Sequence, residues 1–191
     1  MISCIFVIVI HVTNYFCRAY GEITQSEYLF ALLLDTLARV SVPCFFMISG
    51  ALLLGREEPL KKHRERLLRF LIALVVWSVV YYIWNRAFMK TEYNLKEILY
   101  VPTEPHLWYL YAMIPIYMVL PFFQVMCKGM SRKLERTLLV VCGASVVFNY
   151  MVSLQNGEAY YDLPLVGDKV YMFYIFIGYF ICLLYTSDAA D

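Results

Sequence analysis

The sequence predicts an all-α fold, a polytopic bundle of transmembrane helices. Three observations predict it. The chain of 191 residues is 62% hydrophobic. Only 16% of it is charged, against about 25% in ordinary soluble domains. Its apolar residues also come in long runs rather than in amphipathic stripes, and most runs approach the roughly 20 residues that an α-helix needs to cross hydrocarbon.

Six runs follow in order. Ile2 to Tyr15 is too short to span, and no basic segment precedes it as one would in a signal peptide, so the chain reads as starting inside a helix. Tyr28 to Leu54 is long enough, yet it holds Asp35 and Arg39 just before Pro43. Leu67 to Phe88 follows a basic stretch. Leu107 to Met126 is entered through His106, Trp108 and Tyr109, after an amphipathic segment and Pro-flanked coil in "YNLKEILYVPTEPHLWYL". Leu134 to Leu154 and Val170 to Leu184 complete the set. The last ten residues, "CLLYTSDAAD", back-translate to a sequence resembling a transposon end and library adapter. The expected organisation is therefore a membrane domain over 1–181 and a non-native tail over 182–191, in a piece of a longer gene.

Charge sets the expected topology. Arg56, Lys61, Lys62, Arg64, Arg66 and Arg69 crowd one loop, and Lys128, Arg132, Lys133 and Arg136 another. The loops on the other side carry most of the acids, among them Glu22, Glu92, Glu104 and Asp162. The positive-inside rule then places loops 55–69 and 128–136 in the cytoplasm of a multi-pass plasma-membrane protein. A net charge of +1 offers no footprint for nucleic acid. Six cysteines without C-x-x-C spacing read as small apolar side chains rather than metal ligands or disulfides.

The polar groups inside the runs are the candidates for chemistry. A charged side chain at mid-bilayer costs roughly 2.5–3.5 kcal/mol on insertion scales, so it needs a reason to stay. Asp35 and Arg39 are four apart, share a helix face and can pair. They read either as an internal pair joining two helices or as the lining of a polar cavity. His11 reads either as a histidine at the wet end of a helix or as a base. Pro43 removes a backbone hydrogen bond and is expected to free a carbonyl toward that cavity. Trp108 and Tyr109 also fit an interfacial aromatic belt, and Arg64, Arg66 and Arg69 also fit orientation signals.

"RVSVPCFFMISGALLL" resembles the signature of the membrane acyltransferase 3 family, an Arg followed by V-P-x-F-F and I-S-G. "IVIH" is similar to the end of that family's first helix, where an R-x10-H motif ends on its histidine; here the arginine position falls just before Met1. "HLWYLYAMIPIYMVLP" and "KKHRERLLRFLIAL" match two further stretches in the same order, so the resemblance covers almost all of residues 1–181. It implies about ten helices, of which six are present here. It also implies an integral-membrane acyltransferase that takes an acyl group, with acetyl the expected one, from acyl-CoA to a hydroxyl of a cell-envelope glycan or lipid-linked sugar in bacterial O-acetylation. His11 and Arg39 carry over as catalytic residues and Ser49-Gly50 as a tight helix approach. Asp35, which has no counterpart in the family's motif, is expected to support the site by holding Arg39; His106 and Trp108 are expected to support it too, and Arg64, Arg66 and Arg69 are expected on the donor phosphates. No bound cofactor or metal is expected; the partners are acyl-CoA, the acceptor and membrane lipid. A transporter with a proton relay, or the membrane half of a larger fused protein, is the alternative. A transporter predicts inverted repeats, and none is visible in the sequence.

Overall fold

A computed structural model describes residues 2–56, 58–89, 101–155 and 170–188. Its helices are α1 (Ile2–Arg18), α2 (Gln25–Ala38), α3 (Ser41–Leu53), α4 (Leu60–Trp84), α5 (Trp108–Gly129), α6 (Arg132–Leu154) and α7 (Tyr171–Asp188). Among the described residues there is no strand. The amphipathic segment expected before Tyr100 lies outside the described residues. The helical stretches Gln25–Leu53, Leu60–Met89, Pro105–Gly129 and Arg132–Leu154 are long and apolar enough to cross a membrane. The α1 stretch Ile2–Arg18 and the Tyr171–Leu184 part of α7 are shorter apolar helices. Exposed apolar side chains such as Ile72, Val76, Val80, Val140 and Val147 cover α4 and α6, as lipid-facing surfaces require.

The chain divides into two compact units, Met1–Gly55 with Cys127–Asp191, and Arg56–Met126. In the first, α1 ends in a turn where Gly21 takes φ +93°, a conformation that glycine adopts without strain. A capping box then starts α2. The Thr24 hydroxyl accepts from the Glu27 N–H at 3.4 Å, and the Thr24 N–H donates to the Glu27 carboxylate at 3.0 Å.

The run expected over Tyr28 to Leu54 is one helical stretch, Gln25–Leu53, with a tightened turn at Arg39 and Val40. Arg39 and Val40 keep helical dihedrals, but α2 ends at Ala38 and α3 starts at Ser41. Pro43 has no N–H for the Arg39 carbonyl, so the chain tightens and Val42 N–H reaches that carbonyl at 3.3 Å. The carbonyl is therefore satisfied within the helix. It is not freed toward a cavity.

The centre of the first unit is the crossing of α3 and α7. A Cβ on Gly50 would lie 1.9 Å from the Ile175 carbonyl oxygen, and one on Gly178 would lie 1.9 Å from that of Met47. The two glycines let the backbones touch. Phe46 stacks on Tyr171 at 4.5 Å between ring centres, and Phe46, Ile175 and Phe176 are fully buried.

In the second unit, α4 and α5 run antiparallel. His63 meets Gln124, Phe70 meets Tyr117, and Tyr81 meets His106, the partners stepping back along α5 as α4 advances. The last turn of α4 widens into a π-helix over Asn85–Met89, where the buried Asn85 amide donates to Glu104 at 2.9 Å.

Candidate active site

The polar cluster of the first unit is built on Asp35. One helical turn places Arg39 over it, and Arg39 Nε donates to Asp35 Oδ2 at 2.6 Å. From α1, the Thr13 hydroxyl lies 3.1 Å from Asp35 Oδ1. That hydroxyl has one hydrogen, and the Val9 and Ile10 carbonyls are also within its reach. The carboxylate is the strongest acceptor of the three because it is charged.

Burial splits the pair unevenly. Asp35 has only 6% of its side chain exposed, whereas Arg39 has 66%. The pair is therefore a buried anion carrying an exposed cation. Only Nε is tied down, so the terminal amino groups of Arg39 form no ion pair among the described residues. They present a fixed pair of donors suited to a phosphate, a carboxylate or a developing oxyanion.

His11 is half-buried and precedes Thr13 by two residues. Two residues on a helix separate the side chains by about 200° around the axis, so His11 and Thr13 do not share one face of α1. Thr13 is an α1 side chain that reaches Asp35, and the sequence reading missed it. A signal was present: a buried carboxylate in an apolar run needs donors, and "IVIHVTNY" supplies hydroxyl and amide groups one turn from the helix end.

Ser49 donates its hydroxyl to the Phe45 carbonyl at 2.9 Å, so the group is used inside its own helix. Gly50 forms the close approach to α7 already described.

The remaining candidates lie in the second unit. The exposed imidazole of His106 stands edge-on to Tyr81, with centroids 4.9 Å apart. Trp108 is T-shaped to Tyr109 at 6.1 Å. Arg64 and Arg69 are exposed, but Arg66 is half-buried and its two terminal nitrogens engage both oxygens of Glu58. Burial alone would raise the Glu58 pKa. The hydrogen bond and charge of Arg66, with Lys62 and Arg56 adding to it, outweigh this and hold the carboxyl below the ordinary glutamate value.

His63 was counted in the sequence only as part of a basic run. It is 5% exposed, its Nε2 lies 3.0 Å from Gln124 Oε1, and its buried Nδ1 has no hydrogen-bond partner among the described residues.

The family model described as an acyltransferase domain matches residues 1–190. No curated protein and no solved structure matches the chain. With its apolar helices long enough to span a membrane, the chain belongs to the acyltransferase 3 family, enzymes that transfer acyl groups other than aminoacyl groups.

Proposed function

We propose that the protein moves an acyl group, acetyl first among the candidates, from acyl-CoA to a hydroxyl of a cell-envelope glycan or lipid-linked sugar. The observation that carries this reading is the Arg39 guanidinium, held through Nε by a buried carboxylate with its outer nitrogens open. Such a group is already oriented before charge develops, which is what oxyanion stabilisation requires.

The roles follow from the chemistry. His11 takes the proton of the acceptor hydroxyl as its oxygen attacks the thioester carbonyl carbon. The C–O bond forms, and the carbonyl oxygen becomes an oxyanion opposite Arg39. The C–S bond then breaks, and the CoA thiolate leaves and recovers a proton. Asp35 and Thr13 position Arg39 and touch no reacting atom. Arg64 and Arg69, exposed on the basic stretch of α4, are the cations best available for donor phosphates. Loops 55–69 and 128–136 then face the cytoplasm of the plasma membrane, where the donor is made.

Release of the CoA thiol by the full-length enzyme tests this. His11→Ala at matched abundance should lower turnover about 10²–10⁴-fold, the usual contribution of a positioned base. A fully active His11→Ala enzyme would remove the mechanism. Cysteine labelling from outside intact cells should fail at positions 61 and 131, and labelling there would reverse the orientation.

A further inference from the structure

The basic run at the start of α6 has a property that orientation signals do not require. Arg132, Lys133, Arg136, Thr137, Val140 and Val141 line an open hollow of about 430 Å³. All six lie on one face of α6, so the hollow is an open groove along a single helix.

Its chemistry changes along the helix. Arg132, Lys133 and Arg136 are exposed at the top, and one to two turns on, Val140 and Val141 are exposed below them. Arg132 is partly neutralised by Glu135 at 3.3 Å. Lys133 and Arg136 form no ion pair among the described residues, so two full positive charges face the hollow. The Thr137 hydroxyl donates to the Lys133 carbonyl at 2.9 Å and leaves its oxygen lone pairs outward. The first turn of α6 also turns its positive dipole end toward the same place.

We infer that this hollow seats one anionic phospholipid, its phosphate between Lys133 and Arg136 and the start of an acyl chain along Val140 and Val141. The charge pattern selects the sign of the headgroup. The valines select a lipid over a free anion, because a soluble phosphate gains nothing from an apolar floor. They stand where the apolar part of a candidate membrane span begins, at the depth where acyl chains begin.

The test is native mass spectrometry of the whole protein in a mild neutral detergent, titrated with dioleoyl phosphatidylglycerol or dioleoyl phosphatidylcholine. Wild type should retain one phosphatidylglycerol in preference to phosphatidylcholine. Lys133→Gln with Arg136→Gln should weaken that retention roughly 30-fold, the expectation for two cations at a charged membrane surface. Salt near 1 M, where the screening length is about 3 Å, should bring wild type toward the double variant. Lys61→Gln with Lys62→Gln, which alters the other basic run, should leave the first bound lipid in place.

Val140→Trp keeps every charge and fills the floor, so it should also weaken the lipid. Equal retention of both lipids by wild type, or unchanged phosphatidylglycerol binding in the double variant, would overturn the proposal. Displacement of the lipid by inorganic phosphate at equal concentration would reassign the hollow to a free anion. A dimer in the spectra that Val140→Trp abolishes would reassign it to a second copy of the chain.

Discussion

Where α3 crosses α7, two glycines bring carbonyl oxygens to the place a methyl group would occupy, and aromatic rings close around them. Where α1 meets α2, a hydroxyl and a guanidinium converge on one buried carboxylate. Both contacts belong to the same unit, and they are made by opposite means. Lipid tails are as apolar as leucine, so helices inside a membrane gain little by hiding apolar surface from them. They associate through close backbone packing or through hydrogen bonds. The α3–α7 crossing uses the first and tolerates no added atom. The α1–α2 contact uses the second and leaves a cation largely exposed.

The comparison breaks most sharply at the glycines. Gly50→Ala and Gly178→Ala each push a Cβ into backbone that cannot rotate away. Each should destabilise the protein by about 3 kcal/mol or more, the upper end of the overpacking range, and reduce the folded yield. Thermal unfolding in detergent checks this, and a neutral Gly178→Ala would mean that the helices can separate without loss.

Removing the buried charge comes next. Asp35→Asn keeps the shape and the Thr13 hydrogen bond but loses the ion pair. Breaking a fully buried pair costs about 3–5 kcal/mol. Arg39 lies at the middle of the apolar stretch Gln25–Leu53, where water does not screen it, so a loss of that order is expected. Activity should fall more than stability, since Arg39 loses its aim. Equal losses in both would make Asp35 a purely structural residue.

Thr13→Val isolates the other half of that contact. The substitution keeps the branched shape and deletes one donor, so about 1 kcal/mol is expected. A double-mutant cycle with Asp35→Ala, which removes the acceptor, should show the two effects to be non-additive, and strict additivity would mean that the hydroxyl serves only the Val9 and Ile10 carbonyls.

The smallest effect belongs to the Glu58–Arg66 pair, outside the apolar spans. The folded-state pKa of Glu58 lies below its unfolded value. The pair therefore contributes stability above the unfolded value and loses it as the pH falls through the folded one. Unfolding temperatures should show a small acid-side loss that disappears in Glu58→Gln. A loss on the alkaline side would contradict the assignment.

Much of the architecture was legible because hydropathy is local. Leu107 to Met126 and Leu134 to Leu154 fall within a few residues of α5 and α6. The differences lie where a polar segment extends a helix past its apolar run, as α4 does at its start. The Asp35–Arg39 pair was legible too, because four residues make one helical turn. Its uneven burial was not, since exposure depends on what packs around each end of the pair.

The sequence by itself determined the membrane class, the helical runs and the family, because each depends on composition, spacing or short motifs. Tertiary structure decided that Thr13 reaches Asp35, that Gly50 lies on the Ile175 backbone, that Arg66 is occupied by Glu58 and that His63 is buried against Gln124. Each of those contacts joins positions whose separation along the chain says nothing about their distance. Which face of one helix meets which face of another depends on shape and on where a buried polar group finds its partner, and only the folded chain brings those faces together.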